Sequence, residues 1–280
     1  MKKWLYILIV STSFVWENDV VAGSREDTFL KELQAELQKK GNPWIAGKTS
    51  VSHLPLEVKK KMIGELPSMG NDEAVIRDPL NPPPGSWDWR NKDGQCWMTR
   101  VKQQYPCGTC WAFASIAVLE ARWNIWNDKP HNDLDLSEAF VIGCNPYGYD
   151  CSGGKGTIWN WVKERNKGIP EEDCFEYRGH SWHSNCNNRC TDWQVMSIPY
   201  GITRWGTGSA SAVDSIKNEL MRGPIYVVIV VKEDFFYYIG GIYEPIIGED
   251  LGYHAVCCVG WSDDGGWIIK NSAGIEWGGI

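Results

Sequence analysis

Residues 107–114 read Cys-Gly-Thr-Cys-Trp-Ala-Phe-Ala, and this stretch determines how the rest of the chain is interpreted. Apolar residues then recur at helical spacing as far as Trp126, which predicts a mostly buried helix. Cys110 lies just before that helix, where unpaired backbone N–H groups and the helix dipole stabilise a thiolate. This position predicts a lowered thiol pKa and a reactive cysteine at residue 110.

The two cysteines of this stretch, Cys107 and Cys110, allow three interpretations. A redox pair would be expected near a βαβ pattern, and the sequence shows none. A zinc site would need a second Cys or His pair at suitable spacing, which the remaining cysteines do not supply. The third interpretation is a disulfide cysteine beside a nucleophile, and it requires a general base elsewhere in the chain.

One histidine is placed to be that base. His254 begins an apolar run typical of a strand, and Asn271 follows the next such run. Antiparallel pairing of these runs would bring the two side chains together, so that the amide orients the imidazole. Taken alone, His254 would more often be a structural histidine, but with Cys110 it can form the pair that makes a cysteine nucleophilic.

The order of predicted elements gives the fold class. Helical patterns cover 111–126, 158–164 and 212–222. After Gly223 the character changes to short β-branched or aromatic runs separated by Gly, Pro and Asp, which is typical of strands and turns. The chain is therefore predicted to be α+β, with a helical part and a β-rich part that could face each other.

The N-terminus and the ten cysteines together indicate a compartment. Lys2 and Lys3 precede an apolar stretch from Trp4 to Val15, and small residues follow up to Ala22, the layout of a signal peptide. An uncleaved anchor is the alternative, but the stretch is shorter than the ~20 residues of a spanning helix. We expect a secreted protein, or one in a lysosome- or vacuole-like compartment, without stable membrane association.

Short motifs along the chain match those of one known family in order. They are Trp87-Asp88-Trp89-Arg90, Val101-Lys102-Gln103-Gln104, Cys151-Ser152-Gly153-Gly154, Gly223-Pro224-Ile225, Gly241-Ile242-Tyr243 and Trp277-Gly278. Together with Cys110, His254 and Asn271, they resemble the papain family of cysteine peptidases from about Pro84 onward. The resemblance implies a two-lobe α+β fold, one lobe helical and the other β-barrel-like, with an active-site cleft between them.

The resemblance also implies a role for each matching residue. Cys110 would attack the scissile carbonyl, His254 would exchange the proton, and Asn271 would orient the imidazole. Gln104 would donate its side-chain amide to the oxyanion, together with the backbone N–H of Cys110. Gly153, Gly154 and Trp277 correspond to substrate-binding positions. Without the resemblance, Gln104 fits a loop residue and the two glycines fit a tight turn. No metal and no other cofactor is implied.

The segment before these motifs contains two predicted helices, over 25–40 and 55–63, and too few apolar residues for a core of its own. It is expected to fold against the rest of the chain. Asn42 to Gly47 resembles part of the short propeptide of cathepsin B-type enzymes, and 168–170 is similar to cathepsin X. The implied organisation is a signal peptide at 1–22, an inhibitory propeptide at 23–84 and a peptidase domain at 85–280.

The expected partners are peptide or protein substrates, the chain's own propeptide and cystatin-like inhibitors. Nucleic acid is a poor candidate, since 28 Lys plus Arg face 35 Asp plus Glu, for a net charge of -7. An exopeptidase loop with paired histidines is the mark of cathepsin B. His180 and His183 lie in a short segment between cysteines, so endopeptidase activity is expected.

The resemblance also implies a set of disulfides. They are Cys107–Cys151, Cys144–Cys174 and Cys186–Cys190. Such bridges stabilise a domain in an oxidising compartment by ~2–4 kcal/mol each. Cys96, Cys257 and Cys258 have no assigned partner.

Two departures from the family pattern bear on activity. Ala273 stands where the family usually has a Trp that shields the Asn–His hydrogen bond, and the sequence ends at Ile280 while the family continues with further strand residues. Ala273 predicts reduced activity, and Ala273→Trp is expected to raise kcat/KM. The early end indicates either a fragment of a longer protein or an impaired enzyme. The alternative function is therefore a weak or inactive homologue that binds peptides or inhibitors.

Overall fold

The computed structural model describes residues 14–65, 82–156, 158–165, 168–179, 185–191 and 210–278. The first 13 residues of the predicted signal peptide lie outside this part of the chain, as do His180 and His183. Among the helices that are described, none is long and apolar enough to cross a membrane.

The N-terminal segment forms two helices and a short strand. They are α1 (Phe14–Lys39), β1 (Trp44–Ala46) and α2 (Leu56–Met62). Both predicted helices are confirmed, because each presents apolar residues at helical spacing, and Leu33 and Leu37 bury one face of α1. The segment packs its apolar side chains into a core shared with residues 229–277, as its small apolar content required.

The helical lobe is built around one long buried helix. Its elements are α3 (Cys110–Trp126), α4 (Glu138–Cys144), α5 (Ile158–Arg165) and two 3-10 turns (Glu172–Cys174 and Cys186–Asn188). Most of α3 is buried on all sides, as expected for a helix without a polar face. Ser137 caps α4 by accepting a hydrogen bond from the backbone N–H of Phe140 at 3.0 Å.

The β-rich lobe consists of two open sheets. Its elements are β2 (Trp87–Asp88), α6 (Ala210–Leu220), β3 (Ile225–Lys232), a 3-10 helix (Glu233–Tyr237), β4 (Tyr238–Gly241), β5 (Asp250–Trp261) and β6 (Trp267–Lys270). In the larger sheet the long strand β5 pairs antiparallel with β2, β3 and β6. The smaller sheet pairs β1 of the N-terminal segment with β4. Both are open sheets, so the expected barrel-like closure was wrong for the described residues.

Three disulfides join cysteines of the helical lobe. They are Cys107–Cys151, Cys144–Cys186 and Cys174–Cys190. The expected pairs Cys144–Cys174 and Cys186–Cys190 were therefore wrong. The reason is local, because the backbone N–H of Cys190 donates to the carbonyl of Cys174 at 2.8 Å and holds those two residues together.

Candidate active site

Cys110 is the first residue of α3 and is fully buried where the two lobes meet. The backbone N–H of Ala255, on β5, points at its sulfur at 3.5 Å. Burial raises the pKa of the Cys110 thiol to about 12, against the opposing hydrogen bonds from the backbones of Ala255 and Gly64. The expectation of a lowered pKa was wrong for this form of the chain, because desolvation outweighs the helix N-terminus.

His254 lies on β5 with 4% of its surface exposed, beside Asn271 just after β6. Its Nε2 is 2.8 Å from Oδ1 of Asn271, and that oxygen also accepts the backbone N–H of Ser272 at 2.9 Å. Nε2 therefore carries the hydrogen, and Nδ1, which has no hydrogen-bond partner among the described residues, is the basic nitrogen. Burial lowers the pKa of His254 to about 4, although the bond to Asn271 opposes this.

The hydrogen bond between His254 and Asn271 is shielded from water. Asn271 is 8% exposed, and the ring of Phe235 lies edge-on to the imidazole with 5.7 Å between centroids. The exposure expected from Ala273 is therefore absent in this form. Phe235, from the 3-10 helix after β3, is the aromatic residue that covers this hydrogen bond.

Gln104 is buried and is tied to the residue after Asn271. Its backbone N–H donates to the carbonyl of Ser272 at 2.9 Å, and its Oε1 accepts from the Ser272 hydroxyl at 2.6 Å. These two bonds fix the amide, and Nε2 donates one hydrogen to the carbonyl of Cys107 at 2.8 Å, which leaves the other for an acceptor in the cleft. The same serine thereby positions both predicted polar partners of the cysteine–histidine pair.

Residues 61–65 of the N-terminal segment cross the cleft over Cys110. The carbonyl oxygen of Met62 accepts from Nε2 of Gln104 at 2.9 Å. The carbonyl oxygen of Gly64 accepts from the backbone N–H of Gly154 at 2.9 Å, and Glu65 pairs with Gly154 in a parallel bridge. The backbone of this segment therefore occupies the hydrogen-bonding groups on which a peptide would lie.

Gly64 and Gly108 meet at the narrowest point of this crossing. A Cβ added to Gly64 would lie 1.8 Å from the carbonyl oxygen of Gly108, and one added to Gly108 would lie 2.5 Å from the carbonyl oxygen of Lys61. Both positions therefore require glycine for the segment to reach the cysteine.

The remaining predicted binding residues have different surroundings. Gly154 contacts the segment, but a Cβ at this position would also lie 2.5 Å from the ring of Trp111, so packing alone demands a glycine there. Gly153 has φ of 137°, which favours glycine. Trp277 packs on Phe235 and Tyr238 in the β-lobe core rather than against residues 61–65.

Sequence reasoning missed the residues that fill the cleft. Met62, Gly64 and Glu65 belong to no recognised motif. The signal that identifies them is the close approach of Gly64 to Gly108, which is seen in the structure. Tyr226, whose hydroxyl donates to the Glu65 carboxylate, was also missed because it looks like any strand residue. No group of three or more His, Cys, Asp or Glu able to hold a metal ion occurs within the described ranges.

Comparison with known proteins gives a consistent result. Residues 83–279 match the family described as papain family cysteine protease. The chain is 32% identical to cathepsin B-like CP1 of Giardia intestinalis, over 77% of this chain and 71% of that one. It is 34% identical to cathepsin Z of Onchocerca volvulus, over 70% and 67% respectively. The solved structure of proCathepsin B S9 from Trypanosoma congolense superposes with a TM-score of 0.72 at 24% identity, over 90% of this chain and 89% of that one.

Proposed function

The chain belongs to the papain family of cysteine proteases, and we propose that it is a precursor in which residues 23–84 block a Cys110–His254 endopeptidase site. The supporting observation is the Met62 carbonyl, which accepts from Gln104 Nε2 at 2.9 Å beside the cysteine. A substrate carbonyl in that place would meet the same donor. The segment therefore occupies the position at which the reaction occurs.

In the blocked form the catalytic pair is neutral. Burial raises the pKa of Cys110 to about 12 and lowers that of His254 to about 4, so at neutral pH the cysteine is a thiol and the imidazole is uncharged. Departure of residues 61–65 would admit water and substrate and remove much of the desolvation that produces both shifts. Transfer of the thiol proton to Nδ1 then gives a thiolate–imidazolium pair.

The reaction follows from these positions. The Cys110 thiolate attacks the scissile carbonyl carbon, and the oxyanion accepts from Gln104 Nε2 and the backbone N–H of Cys110. Imidazolium returns its proton to the departing amine as the C–N bond breaks, which leaves a thioester. His254 then takes a proton from water, whose oxygen attacks the thioester, and the released thiolate regains a proton as the carboxylic acid leaves. Asn271 holds the imidazole in the required tautomer throughout.

Covalent labelling tests the site. After removal of the N-terminal segment, a peptidyl epoxide is expected to label the chain once, and Cys110→Ala should abolish labelling. Cys96→Ala is the matched control, because Cys96 is a partly exposed free cysteine. Gln104→Ala should lower kcat for peptide cleavage about 100-fold, the usual cost of removing one oxyanion donor. Unlabelled processed wild type, or a labelled Cys110→Ala variant, would contradict the proposal.

Endopeptidase specificity is the finer part of the proposal. It is supported by the short stretch between Cys174 and Cys190, which leaves little chain for a loop that closes one end of the cleft. Peptides blocked at both termini should be cut at an internal bond. Cleavage only of peptides with a free carboxylate would instead indicate an exopeptidase.

The location and remaining partners are proposed on physical grounds. Three disulfides persist in oxidising surroundings. This is in keeping with export directed by the signal peptide at 1–22. The protein would then be secreted or delivered to a lysosome- or vacuole-like compartment. Peptides and proteins would be the substrates of the freed cleft, and cystatin-like proteins would compete for it.

A further inference from the structure

Within the described residues of the segment, Glu65 is the acidic side chain that lies beside the catalytic cysteine. It is 5% exposed, and its backbone N–H donates to the carbonyl of Tyr253, the residue before His254, at 3.2 Å. Its negative charge is near enough to Cys110 to add to the raised pKa of that thiol. The side chain therefore occupies a pocket next to the reacting atoms, where a side chain of a bound peptide would also lie.

Tyr226 ends this pocket with a hydroxyl group. Its O–H donates to Oε2 of Glu65, and the tyrosine is 5% exposed. Its ring lies in the core that also holds Cys110 and Ala255. On the other side it fits against Gly156, where an added Cβ would come within 2.9 Å of the ring. The ring is thus held by packing, and the hydroxyl presents a fixed hydrogen-bond donor to whatever side chain enters.

A fixed donor in a buried pocket discriminates between side chains. A carboxylate forms a charge-assisted hydrogen bond with the hydroxyl, which is roughly twice as strong as a neutral one. An amide oxygen can accept the bond in neutral form. An aliphatic side chain cannot accept this bond, so it gains nothing from the hydroxyl.

From this contact we propose that Tyr226 is a specificity-determining residue that selects substrates with a hydrogen-bond-accepting side chain, glutamate foremost, in the pocket beside Cys110. The proposal rests on the peptidase function proposed above. It assigns to the blocking segment a second property, since Glu65 makes the contact that a preferred substrate side chain would make. The preference should appear in KM, because the negative charge that improves binding also disfavours the Cys110 thiolate.

The substrate test uses the full chain after activation. The test peptides are blocked at both ends. In each set, one position within two residues of the cut bond carries Glu, Gln or Leu, and the rest of the peptide is the same. At one of these positions the kcat/KM of the Glu peptide should exceed that of the Leu peptide at least about tenfold, mainly through KM, with the Gln peptide between them. Tyr226→Phe, which removes only the hydroxyl, should reduce this preference to below about threefold, chiefly by raising KM for the Glu peptide.

A second measurement uses the unprocessed chain and needs no catalysis. Glu65→Leu should speed alkylation of Cys110 by iodoacetamide about tenfold in the wild-type background, and only about twofold in Tyr226→Phe, because the bond is already lost there. Glu65→Gln should have a smaller effect than Glu65→Leu. Tyr253→Phe is the matched control, since it removes an exposed hydroxyl near the same pocket.

The outcomes separate this proposal from the function on which it rests. If the activated chain is labelled at Cys110 but prefers Leu, or if Tyr226→Phe slows the Glu and Leu peptides equally, the specificity proposal is overturned while the peptidase stands. If no peptide is cut, additive effects of Glu65→Leu and Tyr226→Phe on alkylation still overturn it. Coupled effects support the contact.

Discussion

The two lobes bury their apolar residues in different ways. The core of the helical lobe comes from one continuous stretch, residues 111–177, and disulfides close it. The core of the β lobe takes about half of its buried side chains from the N-terminal segment. These are Leu33, Leu37, Trp44, Ala46, Val51, Leu54 and Met62. This core of the helical lobe therefore contains no residue of the N-terminal segment, whereas the β lobe shares its core with the part that we propose is removed.

The segment also attaches to the two lobes by different physical means. On the β lobe it forms apolar packing and a short antiparallel strand pair, β1 with β4. On the helical lobe its described residues form backbone contacts at Gly108 and Gly154. Apolar burial supplies most of the free energy of such a contact, and backbone fit determines its register. We thus expect the β-lobe contact to hold the segment and the helical-lobe contact to block the cysteine.

The largest effect should come from Trp44→Ala. Trp44 is 1% exposed, packs against Tyr238 and Tyr243, and donates from Nε1 to the carbonyl of Glu244 at 2.8 Å. Its loss should lower the free energy of unfolding of the β lobe in the unprocessed chain by about 4 kcal/mol. Hydrogen exchange of the β4 amides, read against those of α3, measures the effect lobe by lobe.

The neighbouring residue provides the control for this prediction. Ile45 is 60% exposed on the other face of β1, so Ile45→Ala should change exchange little. Phe140→Ala, within the helical-lobe core, should destabilise α3 equally before and after processing. If Trp44→Ala instead loosened both lobes alike, the contrast between the two cores would be wrong.

A smaller effect is expected from Gly64→Ala, on the helical-lobe side. The new Cβ would lie 1.8 Å from the backbone oxygen of Gly108, so the segment must move away from the cleft. We expect a loss of about 2 kcal/mol in segment docking, typical of overpacking, while the β-lobe contact persists. The measurement is the alkylation rate of Cys110 in the unprocessed chain, which should rise about 30-fold.

Gly240→Ala is the matched control for this change. An added Cβ there meets only a side-chain atom of Ile45 at 3.9 Å, so alkylation should stay at the wild-type rate. An unchanged rate in Gly64→Ala would mean that the backbone crossing does not limit access to the cysteine.

The smallest effect concerns pH and tests the β-lobe contact again. Burial lowers the pKa of Lys59 to about 8, against the attraction of Glu233 at 3.6 Å. Between pH 8 and 10.5 the unfolded chain binds more protons at this lysine than the folded chain, so its contribution to stability rises with pH. That gain is lost as the pH falls through about 8. Tyr237, whose hydroxyl accepts a hydrogen bond from Lys59, also has a raised pKa. It opposes the gain in stability only at the pH values where the tyrosine hydroxyl itself loses its proton.

The measurement is the difference in unfolding free energy between wild type and Lys59→Met at several pH values. From about pH 8 to 9.5 this difference should shift in favour of the wild type by about 1.5 kcal/mol. Lys61→Met removes the same charge from an exposed position of the same segment and should give a flat difference. If the difference for Lys59→Met did not change with pH, the buried lysine would not contribute to the pH dependence of the β-lobe contact.

Local patterns predicted most strands and five of the six α-helices among the described residues, and α4 was missed. Helix α3 and strands β3, β5 and β6 follow from apolar spacing and from Gly and Pro at their ends, and the structure confirms each. Strands β1 and β2 were not predicted, because they are short and are stabilised by pairing with strands about 200 and 170 residues away in the sequence. No local signal specifies such pairings.

The same limit applies to the site. The types and order of Cys110, His254, Asn271 and Gln104 are visible in the sequence, and the structure brings these side chains to one place. The shift in the Cys110 pKa was expected with the wrong sign, because burial raises it more than the hydrogen bonds from Ala255 and Gly64 lower it, and that burial is produced by parts of the chain distant in sequence. Disulfide partners other than Cys107–Cys151 were also missed, since spacing does not specify which cysteines a fold brings together.

The covered thiol has a consequence for how the chain acquires its disulfides. Cys110 lies three residues from Cys107, which must be oxidised, while Cys110 itself must stay reduced. Thiol–disulfide exchange proceeds through the thiolate, and a thiol with a pKa of about 12 supplies almost none at neutral pH. Residues 61–65 cover this thiol in the docked form, so we expect them to act as a protecting group that keeps Cys110 reduced in oxidising surroundings.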